Sequence, residues 1–186
     1  SDAMTMIHEH AAEWHVDPDA IAVIGFSAGG HLAANLATST SDDVLVAHGY
    51  DPDAVRPNGL MLAYPVITSG PLAHRGSFDS LLGERRNDSQ ALESVSIERH
   101  IDAKTPPVFA WHTVPDETVP YENTLMLIDA CKKAGVSIEA HLFPQGGHGL
   151  SLGTAETAWQ GVNGIEPSIQ IWPQLAVSWM RRTFAR

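Results

Sequence analysis

Apolar residues fall into two arrangements along the chain: short unbroken runs, and longer stretches with helical spacing. The runs "IAVIG" (21–25) and "GLMLAYP" (59–65) contain no charged residue, the mark of strands buried on both faces, and Pro65 stops the second. "PPVFAWHT" (106–113) predicts a third strand. In "SIEAHLF" (137–143) Ile138, Ala140 and Leu142 alternate with polar neighbours and predict a fourth. Between these runs, "AMTMIHEHAAEWH" (3–15) reads as a helix ended by the turn former "DPD" at 17–19. "AGGHLAANLA" (28–37) predicts a second helix. "YENTLMLIDACKKAG" (121–135) predicts a third, with Lys132 and Lys133 in its last turn and Gly135 as its stop. "IQIWPQLAVSWMRRTF" (169–184) predicts a closing helix that packs through Trp172, Leu175 and Trp179, with Pro173 near its first turn. The polar segment 66–105, rich in Ser, Arg and Asp, predicts loops and short helices.

Strands separated by helices imply an α/β fold: a mostly parallel sheet with helices on both faces. With 186 residues and no internal repeat or linker, the chain is expected to form a single domain, with 66–105 as a small lid or insert. Charge narrows the partners. A formal net charge of −11 repels phosphate backbones and argues against nucleic acid. No apolar run approaches the ~20 residues that span a bilayer, so no membrane partner is expected. Cys131 is the only cysteine, which excludes an intrachain disulfide and fits a cytoplasmic location.

The candidate chemistry begins at "GFSAG" (25–29). A serine flanked by glycines, after a buried strand and before a helix, matches G-x-S-x-G in its required setting. The reason is steric: the turn is sharp and strained, so small neighbours let strand and helix approach. The Oγ of Ser27 then stands clear of the sheet, and the Ala28 N–H points at a developing oxyanion, aided by the helix dipole. A close-packed βα turn without chemistry is the plainer alternative. Gly149-Leu150-Ser151-Leu152-Gly153 also fits the pattern, but "PQGGH" separates it from its strand and no histidine follows, so Ser151 is expected to be a loop serine.

Serine needs a base, and the base needs an orienting carboxylate. The third strand leads into "VPDETVP", where Asp116 and Glu117 are candidates, and the fourth into "PQGGHGL", where His148 lies among glycines. Ser27, Asp116 and His148 would thus lie beyond the carboxyl ends of three strands, where open α/β sheets bind ligands. Solvated turn residues are the plainer reading of each. His112 and His141 lie inside strands and are expected to pack or hydrogen-bond structurally; His31, one turn past Ser27, is expected to support it. "HEHAAEWH" fails the H-E-x-x-H spacing of a zinc site, and no metal or cofactor is expected.

"DPDAIAVIGFSAGGHLAA", "LAYPVIT", "PPVFAWHTVPDETVP" and "HLFPQGGHGLSL" resemble the bacterial esterase/lipase branch of the α/β-hydrolase family, nearest the acetyl-xylan and feruloyl carbohydrate esterases. The resemblance runs from about residue 16 through "WPQLAVSWM". It implies Ser27 as nucleophile, Asp116 as acid and His148 as base. Pro115 stands where the family usually has a first of two acids, which favours Asp116 over Glu117. The family also carries strands and an H-G-G-type oxyanion loop ahead of the nucleophile strand. Their lack here suggests the carboxyl-terminal two-thirds of the fold, from a truncated gene product or a trimmed chain. An apolar edge on "IAVIG" would then be exposed and covered by self-association into a homo-oligomer. The isolated chain would be a weak enzyme.

The function expected from this resemblance is serine ester hydrolysis through an acyl-enzyme, on a small-molecule ester such as an acetylated sugar. Phe26 and Tyr64 are candidates to line the substrate site, with core packing the equal alternative for Tyr64. Two other readings remain: a prolyl-oligopeptidase-like peptidase, in which an aromatic usually stands in place of Ala28, and an inactive hydrolase-derived binding module.

Overall fold

A computed structural model describes residues 1–38, 42–159 and 163–185. The first half contains α1 (Asp2–Glu9), β1 (Ala22–Phe26), α2 (Ala28–Thr38), α3 (Asp42–Ala47), α4 (Pro52–Val55) and β2 (Gly59–Ala63). Then follow α5 (Arg75–Leu82), α6 (Ser89–Ser94), β3 (Val108–Thr113), α7 (Glu122–Ala134), β4 (Ile138–Phe143) and α8 (Trp172–Thr183). The four strands pair in the order β1-β2-β3-β4, all parallel. Parallel neighbours require a crossover between them, and the helices that supply it cover the sheet.

Strand alternation sends one set of side chains to each face. Leu60, Leu62, Val108 and Ala110 pack with Ala33, Ala34 and Ala37 of α2 and with Leu127 and Cys131 of α7. Met61, Ala63, Phe109 and Trp111 pack instead with Trp172, Ala176 and Trp179 of α8. Both faces are therefore covered, and β2 and β3 are buried at every position. Each fully buried Leu, Val, Met or Phe among them contributes roughly 1.5–3 kcal/mol relative to exposure. The second face is aromatic: Trp111 stacks on Trp172 with ring centroids 5.5 Å apart. β1 forms one end of the sheet, and the outer side of β1 and α2 exposes Ile24 and Leu32. Among the described residues no helix is long and apolar enough to cross a membrane.

The corner between β1 and α2 is tightly packed. A Cβ on Gly25 would lie 2.3 Å from the Gly29 carbonyl oxygen and 2.7 Å from Gly30 Cα, inside contact distance. One on Gly30 would lie 2.9 Å from Pro65 Cβ. Gly29 differs: a Cβ there meets nothing within 4 Å. Close approach thus accounts for two of the three glycines and not for the third.

Several expected boundaries shift. α1 stops at Glu9, not residue 15, because the ladder gives way to tighter turns: the Ala11 N–H bonds to the His8 carbonyl. The strand expected to end at Pro65 ends at Ala63, since Tyr64 has a positive φ of 38°. α3 and α4 were not foreseen, although α4 carries a readable start: the Asp51 carboxylate caps the Asp53 N–H and Pro52 opens the helix. The segment 66–105 forms α5, α6 and short 3-10 helices, as its composition suggested. It is fixed at one end by Asn123 of α7, whose Oδ1 accepts from the N–H groups of Ile67 and Thr68 and whose Nδ2 donates to the Leu72 carbonyl.

The corner predicts opposite responses to one methyl group. Gly25→Ala should lower stability by about 2–3 kcal/mol through overpacking, whereas Gly29→Ala should be neutral or stabilising by up to about 1 kcal/mol as a helix substitution. Thermal unfolding of both variants checks this; equal losses would contradict the packing described.

Candidate active site

Ser27 occupies the single residue between β1 and α2 with φ of 53°, a left-handed conformation that costs a non-glycine residue of order 1–3 kcal/mol. Backbone hydrogen bonds hold it there. Its N–H donates to the Ala63 carbonyl at the end of β2, and its own carbonyl accepts from Val66, Gly30 and His31. The end of β2, the segment that follows it and the first turn of α2 therefore fix one residue. Ala28 opens α2, so its N–H lies ahead of the intrahelical ladder, at the positive end of the helix.

Ser27 Oγ lies 2.7 Å from Nε2 of His148, and His148 Nδ1 lies 2.7 Å from Oδ2 of Asp116. The three residues expected from the sequence are brought together. An ionised carboxylate only accepts, so Nδ1 carries the proton and Nε2 is left to accept the serine hydroxyl. Asp116 is 5% exposed whereas Glu117 is on the surface, which settles which acid faces the histidine.

The carboxylate is well supplied with donors. Oδ1 accepts from the N–H groups of Thr118 and Val119, each at 2.9 Å, and Oδ2 also receives His112 Nε2 at 3.2 Å. Burial opposes ionisation of Asp116, but hydrogen bonds from His112, His148 and Val119 outweigh it and hold the carboxyl well below the usual carboxylate range. The structural partner of His112 is Asp116, and the sequence carries a signal for it: a histidine in a buried, mostly apolar strand must find an acceptor, and the nearest acid is four residues on.

The loop that carries His148 depends on glycine. Gly146 and Gly149 have φ of 100° and 77°, and a Cβ on Gly146 would lie 2.5 Å from Leu150 Cδ1. The Thr113 hydroxyl donates to the Gly147 carbonyl, and the Trp172 indole N–H to the Ser151 carbonyl. Ser151 therefore serves the loop through its backbone. Tyr64 is 4% exposed; its ring meets His148 edge-on at 5.0 Å, and its hydroxyl accepts the Ser151 N–H. The Tyr64 ring packs inward against the histidine. Phe26 is half-buried against Tyr64 and Trp172. His31 does not support Ser27 with its side chain. Its Nε2 donates to the Val95 carbonyl at 2.7 Å, tying α2 to the 66–105 segment, and burial lowers its pKa. A mostly apolar cavity of about 360 Å³ adjoins Ala28, lined also by His31, Leu32, Asn35, Phe78 and Leu81. Among the described residues no cluster of His, Cys, Asp and Glu has the arrangement of a metal site.

A parallel sheet covered on both faces, with a serine on a strained strand-to-helix turn, defines an α/β hydrolase. The chain belongs to the BD-FAE family, whose family model matches residues 1–130; that span holds Ser27 and Asp116, while His148 lies beyond it. Among curated proteins it is 34% identical over 163 residues to endo-1,4-beta-xylanase B of Butyrivibrio fibrisolvens, covering 87% of this chain and 26% of that protein. It is 29% identical over 153 residues to an acetylxylan esterase of Xylanibacter ruminicola, covering 80% and 30% respectively. Among solved structures, the acetyl ester-xyloside bifunctional hydrolase of Caldicellulosiruptor lactoaceticus superposes with a TM-score of 0.79 at 36% identity, over 97% of this chain and 62% of that one. The carboxylesterase Cest-2923 of Lactobacillus plantarum gives 0.78 at 29% identity, over 97% and 64%. The chain thus spans about a quarter to a third of these curated relatives and under two thirds of these solved structures.

The depressed Asp116 carboxyl links the site to stability. Its contribution is fully present above the unfolded value of about 3.9 and is lost as pH falls through the lower folded value. Asp116→Asn should therefore lower stability at pH 7 by about 1–3 kcal/mol, and the gap to the native chain should narrow below about pH 4. Denaturant unfolding of both proteins across pH checks this; a gap that is constant or widens on acidification would contradict it.

Proposed function

We propose that this chain carries the machinery of a serine ester hydrolase that works through an acyl-enzyme. The observation that supports it best is the continuous hydrogen-bonded path from Ser27 Oγ through both nitrogens of His148 to Asp116. In the forward step the Ser27 oxygen attacks the ester carbonyl carbon while its proton passes to His148 Nε2. The imidazolium that forms is stabilised by Asp116, and the Ala28 N–H supports the oxyanion. Collapse breaks the C–O bond to the alcohol, which leaves with the Nε2 proton. Water then gives a proton to Nε2 and attacks the acyl carbonyl; the acyl–Oγ bond breaks, the acid leaves, and the Nε2 proton returns to Ser27 Oγ. Pre-organised donors matter most here: one oxyanion donor is worth ~10²–10³ in kcat.

The substrate class rests on the relatives. An acetylxylan esterase and a hydrolase described as acting on an acetyl ester and a xyloside both support a short acyl group on a carbohydrate as the substrate. The cavity beside Ala28 gives room for one part of such an ester, with apolar walls next to the reacting carbonyl.

Hydrolysis of an aryl acetate and of acetylated xylo-oligosaccharide by the purified chain, with Ser27→Ala and His148→Ala alongside, tests the proposal. Turnover should fall at least about 10³-fold in either variant. Activity that survives Ser27→Ala, or a native chain that cleaves a peptide but neither ester, would overturn it.

A further inference from the structure

The base is positioned by more than its carboxylate. His112 on β3 is fully buried and lies behind Asp116, on the side away from the solvent. Its Nε2 reaches two acceptors, Asp116 Oδ2 at 3.2 Å and the Val119 carbonyl at 2.9 Å. Neither has a hydrogen to give, so Nε2 carries the proton. Nδ1 takes the hydroxyl hydrogen of Thr124, a fully buried residue in the first turn of α7, at 2.8 Å. The two acceptors at Nε2 fix the tautomer of His112, the Thr124 hydroxyl completes the ring's bonding from α7, and that tautomer directs an N–H at the carboxylate oxygen that also receives His148. Val119 takes part twice. Its N–H donates to Asp116 Oδ1 and its carbonyl accepts from His112, so the turn carrying the acid is closed onto β3 from both ends.

We propose that Thr124 and His112 are positioning residues for the Ser27–His148 pair, acting through Asp116: the Thr124 hydroxyl anchors the His112 ring at Nδ1, and the His112 N–H holds Oδ2 of the Asp116 carboxylate that aims His148. The inference rests on the reading of His148 as the base. Without His112 the carboxylate is held by backbone at Oδ1 alone, and a swing of Oδ2 would carry His148 Nδ1 away from the line to Ser27. Misplacement on the scale of an ångström costs on the order of 10²-fold. The 3.2 Å bond also draws negative charge from Oδ2, the oxygen facing His148. Loss of that bond strengthens the pull of the carboxylate on an imidazolium and moves the acidic limb of a pH–rate profile upward. Among the described residues, the titratable side chains that meet this pair by hydrogen bond or ring contact are Ser27, Tyr64 and Asp116 against His148, and the two histidines against Asp116.

The test compares His112→Phe, His112→Gln and Thr124→Val with the native chain. His112→Phe keeps a ring but no N–H; His112→Gln keeps an amide N–H at the reach of Nε2; Thr124→Val removes only the hydrogen bond that anchors the ring at Nδ1. In aryl acetate turnover, His112→Phe should lower kcat about 10- to 100-fold at unchanged KM and shift the acidic limb to higher pH. His112→Gln should recover most of the rate, and Thr124→Val should fall between. A purely structural role would lower thermal stability alone, with kcat, KM and pH profile kept in the folded fraction. The low-field proton resonance of His148 Nδ1–H reads the same effect without turnover: it should shift or broaden in His112→Phe and return in His112→Gln. If the native chain hydrolyses no ester, the function proposed above fails while this resonance still decides the positioning role. An unchanged resonance in folded His112→Phe overturns the inference, and where that variant does not fold, an unchanged resonance in Thr124→Val does so.

Discussion

One strained residue organises this molecule. Ser27 adopts a left-handed backbone because β1 must end and α2 must begin within a single position, and the surroundings enforce it. Four backbone hydrogen bonds converge on it, two of them from outside the corner: its N–H to Ala63, and Val66 to its carbonyl. The cost of such a conformation, of order 1–3 kcal/mol, is tolerated only where the neighbours overdetermine it. Here Gly25 and Gly30 allow contacts that no side chain would permit, and β2 supplies the clamp. The result is a hydroxyl projecting beyond the sheet with a helix N-terminus next to it.

Everything polar at the site is arranged to meet that hydroxyl. His148 arrives on a loop whose course depends on Gly146 and Gly149 and whose far side is tied down by Tyr64, Thr113 and Trp172. Asp116 is buried yet ionised because four donors share its two oxygens, so desolvation is outweighed by fixed hydrogen bonds. The aromatic face under α8 gives these loops a rigid floor, since Tyr64 packs edge-on against both Trp111 and His148. Stability and geometry are served by the same contacts. The 66–105 segment joins in through a small apolar group, Val66, Phe78 and Val119, that sits behind the turn bearing the acid.

The four strands, the major helices and the meeting of Ser27, Asp116 and His148 were legible in the sequence. Buried parallel strands leave unbroken apolar runs, and the G-x-S-x-G context fixes a turn whose geometry is local. What the sequence hid was mostly non-local. That His112 bonds Asp116, that His31 reaches Val95 instead of Ser27, and that Tyr64 turns inward depend on which elements become neighbours in space. The first helix ends at Glu9, short of residue 15, where the backbone changes to tighter turns that side-chain spacing does not reveal. Gly29 was credited with a packing role that Gly25 and Gly30 fill, because sequence spacing does not tell which Cβ direction is blocked.

The most direct measurement is site mapping with a fluorophosphonate, which reacts only with a serine whose hydroxyl is activated by a base. Mass spectrometry of the labelled and digested chain should find one adduct per molecule, on the peptide containing Ser27, with the rate of labelling falling as His148 is protonated. A folded chain that takes up no label, or takes it up at Ser151, would contradict the proposal that this corner delivers an activated hydroxyl to the imidazole.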